Sequence, residues 1–182
     1  MADKPISYYV FEMLYWTGIR EGELLALTPA DFNFEKKTLR INKSYQRLEG
    51  KDVITDPKTP KSNRTIVMPD FLAVEMEEFI SSLYGIKDGD RIFTISKSYL
   101  HHEMDRGAKL AGVKRIRIHG LRHSHISLLI NLGFSALAIG ERVGHEAVDI
   151  TYHYAHLFPT VQTDMAAQLE TEREALVNVR KE

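Results

Sequence analysis

Residues Arg142 to Phe158 read RVGHEAVDITYHYAHLF, and the stretch from His145 to His156 packs three histidines and two tyrosines into twelve residues. Three chemistries use such a set. Imidazoles can gather a metal ion, the rings can pack as an ordinary aromatic helix face, or a tyrosine can attack phosphorus while cationic neighbours hold the phosphate. A second cluster, HGLRHSH, covers residues 119 to 125. On a helix His119, Arg122 and His123 stand at i, i+3 and i+4 and share a face, with Leu121, Leu128, Leu129 and Leu132 expected on the opposite side. At a helix start an arginine and a histidine make a cradle for phosphate, where backbone N–H groups, a guanidinium fork and an imidazole converge. His119, His123 and His125 could instead hold a metal, but no carboxylate lies nearby in sequence and Arg122 would repel a cation.

Two further segments carry isolated cations. TGIREGELLAL, residues 17 to 27, sets Arg20 just after a glycine break, and KTPKSNRTI, residues 58 to 66, sets Lys58 on a polar loop ahead of a strand. Each has an ordinary reading: an arginine snorkelling or capping a helix, a solvated lysine. Taken singly, these signals leave the alternatives open.

The elements that must position these side chains can be traced along the chain. ISYYVFEMLYWTG predicts a buried helix ended by Gly18, and IREGELLAL a short second helix with Leu24, Leu25 and Leu27 inward, stopped at Thr28-Pro29. FNFEKKTLRI reads as a hairpin turning at Glu35 to Lys37, KSYQRLEGKDVIT as a strand pair about Glu49-Gly50, and RTIVMP as a further strand. These make a small antiparallel sheet of about three strands. Pro69 and Asp70 open the amphipathic helix DFLAVEMEEFISSLYG, and KDGDRIFT is a turn with a short extended piece. From Ser98 onward the chain reads as helices, with Gly112, Gly133 and Gly144 at their ends. The fold class is α+β, mostly α.

Composition narrows the field. The 182 residues can bury one substantial core, and 43% hydrophobic with 27% charged residues is ordinary for a globular protein. Cysteine is absent, which removes disulfides, thiolate nucleophiles and thiolate metal sites. No apolar run is long enough to span a bilayer and no signal peptide opens the chain, so a cytoplasmic location with no membrane partner is expected. The net charge is −1, yet it is unevenly spread. From Arg106 to Gly140 there is no acid among Arg106, Lys109, Lys114, Arg115, Arg117 and Arg122, and from Lys36 to Arg64 nine cations face three acids. Asp70 to Asp90 is acidic. Such polarity suits a surface that meets a polyanion on one face, or else a solvated, salt-bridged exterior.

In order, TGIREGELLAL, KTPKSNRTIVMP, HGLRHSHISLLINLG and ERVGHEAVDITYHYAHLF resemble the catalytic domain of the tyrosine recombinases, and most of all the integrases of prophages and integrative conjugative elements of Gram-positive bacteria. The resemblance runs from about Tyr8 to Phe158. It implies a catalytic set of Arg20, Lys58, His119, Arg122, His145 and the nucleophile Tyr154, which stands nine residues after His145 and is followed by Ala155-His156. Two departures stand out: Tyr152 is a second tyrosine beside the favoured one, and Asp149-Ile150 replaces a commoner polar pair. In the implied reaction Arg20 and Arg122 clamp the charge that develops on the phosphate, and His145 donates to the same oxygens. Lys58 protonates the departing 5′-oxygen, and His119 serves as base or as the hydrogen-bond partner of the tyrosine. The product is a 3′-phosphotyrosyl link, and the resemblance implies no cofactor, neither ATP nor metal.

The family further implies double-stranded DNA at attachment sites as partner, touched by Lys61, Arg64, Arg115, Arg117 and His123. It implies a homotetramer on DNA, a monomer for the isolated domain, and accessory DNA-bending or excision factors. Residues 1–158 are expected to be the catalytic domain, with an N-terminal core-binding domain missing from this sequence. Residues 159–182 are expected to form a tail helix with Val161, Met165, Leu169, Leu176 and Val179 near one stripe, exchanged between protomers after the break at Pro159. Rival readings are a topoisomerase-like nicking and resealing enzyme, an inert DNA-binding module, and a metalloenzyme of the histidine-rich segment.

Overall fold

The computed structural model describes residues 4–57, 59–145, 147–154, 166–171 and 173. Helix α1, Pro5–Thr17, begins on a proline, whose fixed φ and missing N–H suit a first helical turn, and ends on Gly18 at φ 65°. Helix α2, Glu21–Ala26, follows with Arg20 at its N-cap, where the Glu23 carboxylate reaches back to the Arg20 N–H at 2.8 Å. Leu24, Leu25 and Leu27 are all buried, as their spacing predicts.

The β-structure departs from a single sheet. β1 (Phe32–Asn33), β2 (Thr38–Ile41) and β5 (Arg64–Val67) form an antiparallel sheet in the order β1-β2-β5, with Leu39 opposite both Phe32 and Ile66. β3 (Ser44–Leu48) and β4 (Lys51–Thr55) form a separate two-stranded ribbon, with Tyr45 opposite Ile54. The ribbon turns at Glu49 and Gly50, both at positive φ, the geometry that matches strand twist in a tight hairpin. Arg91, which lies outside both sheet and ribbon, anchors the ribbon. The Arg91 guanidinium lies 4.3 Å over the buried Tyr45 ring and pairs with Asp52 at 2.7 Å, while the Tyr45 hydroxyl donates to Asp52 at 2.9 Å.

The remaining helices are α3 (Asp70–Ser82), α4 (Lys97–Ala111), α5 (Ile118–Asn131), α6 (Ala136–Val143) and α7 (Ala147–Tyr154). Two cores result. The first gathers α1 to α4 and the three-stranded sheet around Val10, Leu25, Leu39, Leu72 and Phe93, and the second joins α5, α6 and α7 through Ile126, Ile130, Ile139, Val143, Ile150 and Tyr154. Helix α5 belongs to both: Ile118 sits in the first core, Ile126 and Ile130 in the second, and the buried Arg122 falls between them. The expected leucine face of α5 is therefore corrected. Its buried stripe is Ile118, Arg122, His125, Ile126 and Ile130, whereas Leu132 is 63% exposed. Arg122 and His125 find polar partners inside the fold, so their burial follows hydrogen bonding and not hydropathy.

Among the described residues no helix is long and apolar enough to cross a membrane. Of the tail, residues 166–171 and 173 are helical and exposed, Leu169 among them, while Val161, Met165, Leu176 and Val179 lie outside the described residues.

Candidate active site

The last carbonyls of an α-helix have no donor within the helix. At the end of α6 three arginines provide one each. Arg64 Nε donates to the carbonyl of Arg142 at 2.9 Å, Arg122 Nη2 to that of Val143, and Arg20 Nη2 to that of Gly144 at 3.2 Å. Guanidinium charge at the negative end of the helix dipole adds to the fit. The turn itself needs glycine. Gly144 has φ 70°, and a Cβ there would lie 2.9 Å from the Lys61 carbonyl oxygen and 3.0 Å from Arg64 Nη1.

Arg122 is 2% exposed, and its Nη1 donates to the carbonyl of Gly18 at the end of α1. Among the described residues its Nε has no hydrogen-bond partner. Burial first, and then the neighbouring charge of Arg20, draw its pKa down to about 9, so the side chain stays cationic at neutral pH. Arg20 remains one-third exposed, with Nη1 on Glu23 at 2.8 Å and on Ser62 Oγ at 3.4 Å. Glu23 is the hidden anion of the site. Burial pushes its carboxyl up, but the paired bonds from Arg64 at 3.1 and 3.0 Å, with Arg20 beside them, hold it below the usual range.

Tyr154 ends α7 and is 8% exposed, against 80% for Tyr152 two residues earlier. Its hydroxyl makes a short hydrogen bond with Nδ1 of His123. Burial raises the phenol pKa while Arg122 works against that rise. Burial, followed by Arg122 and His153, lowers the pKa of His123, which keeps the imidazole neutral and able to accept the phenolic proton. His119 was expected as base or as the hydrogen-bond partner of the tyrosine, and the structure gives the direct contact to a neighbour. His123, one helical turn on, makes the contact, and His119 packs edge-on to His123 with ring centroids 4.9 Å apart. His145 is half-buried and its pKa is pushed down to about 4 by burial, then by Arg122 and Arg20. With Lys61, Asn63 and Thr65 it lines a cavity of about 550 Å³. His153 Nδ1 sits 2.9 Å from the Asp149 carbonyl on the exposed side of α7.

Of the expected site residues, Arg20, Arg122, His145 and Tyr154 thus come together, with His119 and His123 alongside. Lys58 and His156 lie outside the described residues. Arg64, expected to touch DNA, is corrected to an internal strut: its side chain is 6% exposed and committed to Glu23, Ser62 and Arg142. Arg115 and Arg117 are exposed on the segment entering α5, with Arg115 paired to Asp105 at 2.6 Å, and Lys61 is exposed beside the cavity. No group of three His, Cys, Asp or Glu side chains suited to a metal occurs among the described residues. Sequence reasoning missed Glu23, although its spacing of three from Arg20 in REGE was a visible capping signal.

Solved structures share this fold. The Tn1549 transposon integrase in complex with circular intermediate DNA superposes with a TM-score of 0.72 at 24% identity, covering 91% of this chain and 59% of that one. The XerA recombinase superposes at 0.67 and 20% identity, over 92% of this chain and 57% of that one. In sequence the chain is 30% identical over 182 aligned residues to the ICEBs1 integrase of Bacillus subtilis, covering 92% of this chain and 50% of the relative. The integrase of Staphylococcus phage L54a is 29% identical, over 85% of this chain and 49% of the relative. The chain spans about half the length of the curated relatives it matches. Fold and relatives define a tyrosine recombinase catalytic domain. The chain belongs to the phage integrase family, whose model matches residues 2–160.

Proposed function

We propose that this chain cuts and rejoins DNA strands as the catalytic part of a site-specific recombinase that integrates and excises a mobile element. One observation carries the reading: the Tyr154 hydroxyl rests on neutral His123 within the field of Arg122, which with Arg20 brackets the end of α6. The Tyr154 oxygen attacks phosphorus, its proton passes to His123, and the bond from phosphorus to the 5′-oxygen breaks. That oxygen leaves as a hydroxyl, taking a proton from Lys58. Arg20, Arg122 and neutral His145 donate to the non-bridging oxygens, where charge grows in the transition state. A 5′-hydroxyl from the partner strand then reverses the step. The diester bond energy is held in the phosphotyrosyl link, so no nucleotide cofactor is consumed.

Every relative named above is an integrase or a recombinase, which favours strand exchange over simple nicking and resealing. Residues 1–158 are the catalytic unit in this reading. Double-stranded DNA is the substrate, with Lys61, Arg115 and Arg117 among its contacts, and four copies assemble on it through exchanged tails, assisted by DNA-bending or excision factors. The test is a nicked duplex carrying an end of the element, incubated with the protein in EDTA and resolved on a denaturing gel. A covalent protein–DNA band is expected. Binding without that band points to an inert module, and a band that appears only with added metal points to a metalloenzyme.

A further inference from the structure

Arg142 stands just before the turn that both clamp arginines hold, and it takes no part in the reaction described above. Its half-buried guanidinium donates to three other elements: Nε to His125 Nε2 on α5 at 3.1 Å, Nη1 to the Val67 carbonyl at the end of β5 at 3.0 Å, and Nη2 to the Trp16 carbonyl on α1 at 3.1 Å. His125 is 3% exposed and packs against Gly18 so closely that a Cβ there would lie 2.5 Å from its Cδ2. These contacts adjoin both anchors of Arg122. Its two acceptors are the carbonyl of Gly18, against which His125 packs, and the carbonyl of Val143, the residue after Arg142. Arg64, which secures Glu23 and through it Arg20, also donates to the carbonyl of Arg142.

We propose that Arg142 and His125 are positioning residues: the pair fixes the α6 terminal turn against α1, β5 and α5, and so sets the separation at which Arg20 and Arg122 meet one phosphate. The proposal rests on the phosphotyrosyl reading given above. A guanidinium only donates, so Nε2 of His125 must carry the lone pair and the ring must be neutral, with its proton on Nδ1. Burial, then the charge of Arg142, hold the His125 pKa down to about 4 and keep that state at neutral pH. Among the described residues the Tyr154 hydroxyl bonds to His123, and the Arg142 guanidinium bonds to His125, Val67 and Trp16. Arg142 lines a different recess, with Leu129, Phe134, Ala138 and Ile139. The pair therefore acts on the reaction through the placement of the α6 turn.

His125→Phe keeps a flat ring and removes the acceptor, whereas His125→Gln restores an oxygen at nearly the same reach. The measurement is single-turnover formation of the protein–DNA adduct on the nicked duplex, with DNA affinity and the melting curve of each variant taken alongside. His125→Phe should slow adduct formation by about tenfold or more, the scale expected from a misplacement of less than 1 Å, while affinity stays close to that of the parent. His125→Gln should recover most of the rate. If His125→Phe does not fold, Arg142→Lys replaces it and must show the same loss of rate with affinity kept. A His125→Phe protein as fast as the parent overturns the proposal, as do equal losses in the Phe and Gln variants when both melt like the parent. If the parent protein itself forms no adduct, the phosphotyrosyl reading has failed and the proposal falls with it.

Discussion

Arg122 heads the largest fully buried side chains of the protein, a costly place for a cation, and its two Nη atoms find backbone carbonyls there while its Nε does not. Its donors reach carbonyls 104 and 21 residues away in sequence, and no local pattern could have disclosed that. The motif around it was legible; its burial was not. The same holds for His123 and His119. Both lie on the face that their spacing predicts, and only the placement of α7 decides which of them meets the tyrosine. Arg122→Lys, which keeps the charge, should lose the fork that spans Gly18 and Val143. Adduct formation should fall by about a hundredfold or more while DNA affinity changes only a few-fold, measured by single-turnover cleavage beside a binding titration. Cleavage within a few-fold of the parent would reduce Arg122 to a structural cation.

The C-terminal turn of α6 is the element that organises the site, because three arginines, from the N-cap of α2, from β5 and from α5, converge on its last carbonyls. Glycine at the helix end was legible from sequence, as it was for α1 and α4. The crowding at this glycine was not: the Lys61 carbonyl beside it comes from the 3-10 turn Pro60–Ser62 ahead of β5. Gly144→Ala combines a left-handed backbone with a Cβ 2.9 Å from a backbone oxygen. It should destabilise the fold by about 1–3 kcal/mol and slow adduct formation, read from denaturant melts and from the cleavage assay together. Unchanged stability and unchanged rate would show that the turn tolerates rearrangement. The split of the β-structure into sheet and ribbon was beyond sequence reasoning for a similar reason. Alternation marks each strand, but the pin made by Arg91, Tyr45 and Asp52 joins residues as much as 46 apart and is invisible to a local pattern.

At the scale of the whole molecule the site lies on a seam. Arg20 stands between Ile19 and Leu24 of the first core, Tyr154 belongs to the second, and α5 carries Arg122 and His123 across both. A mostly helical fold with a small β-component was legible from glycine stops and apolar periodicity, and Arg20, Arg122, His145 and Tyr154, singled out from separate motifs, lie near one another in the fold. The division into two cores was not legible, because a hydrophobic pattern says which residues are buried and not with which others. In the proposed reaction that division matters, since Tyr154 and Arg20 keep their distance only while the cores keep theirs. The central claim is that Tyr154, and not Tyr152, forms the link to DNA. Its most direct measurement is peptide mapping of the covalent adduct by mass spectrometry, with Tyr154→Phe and Tyr152→Phe proteins run alongside on the same nicked duplex. The expected result is a phosphonucleotide on Tyr154, no adduct from Tyr154→Phe despite near-parental DNA affinity, and normal adduct from Tyr152→Phe. A modification on Tyr152, or an adduct that survives in Tyr154→Phe, would contradict it.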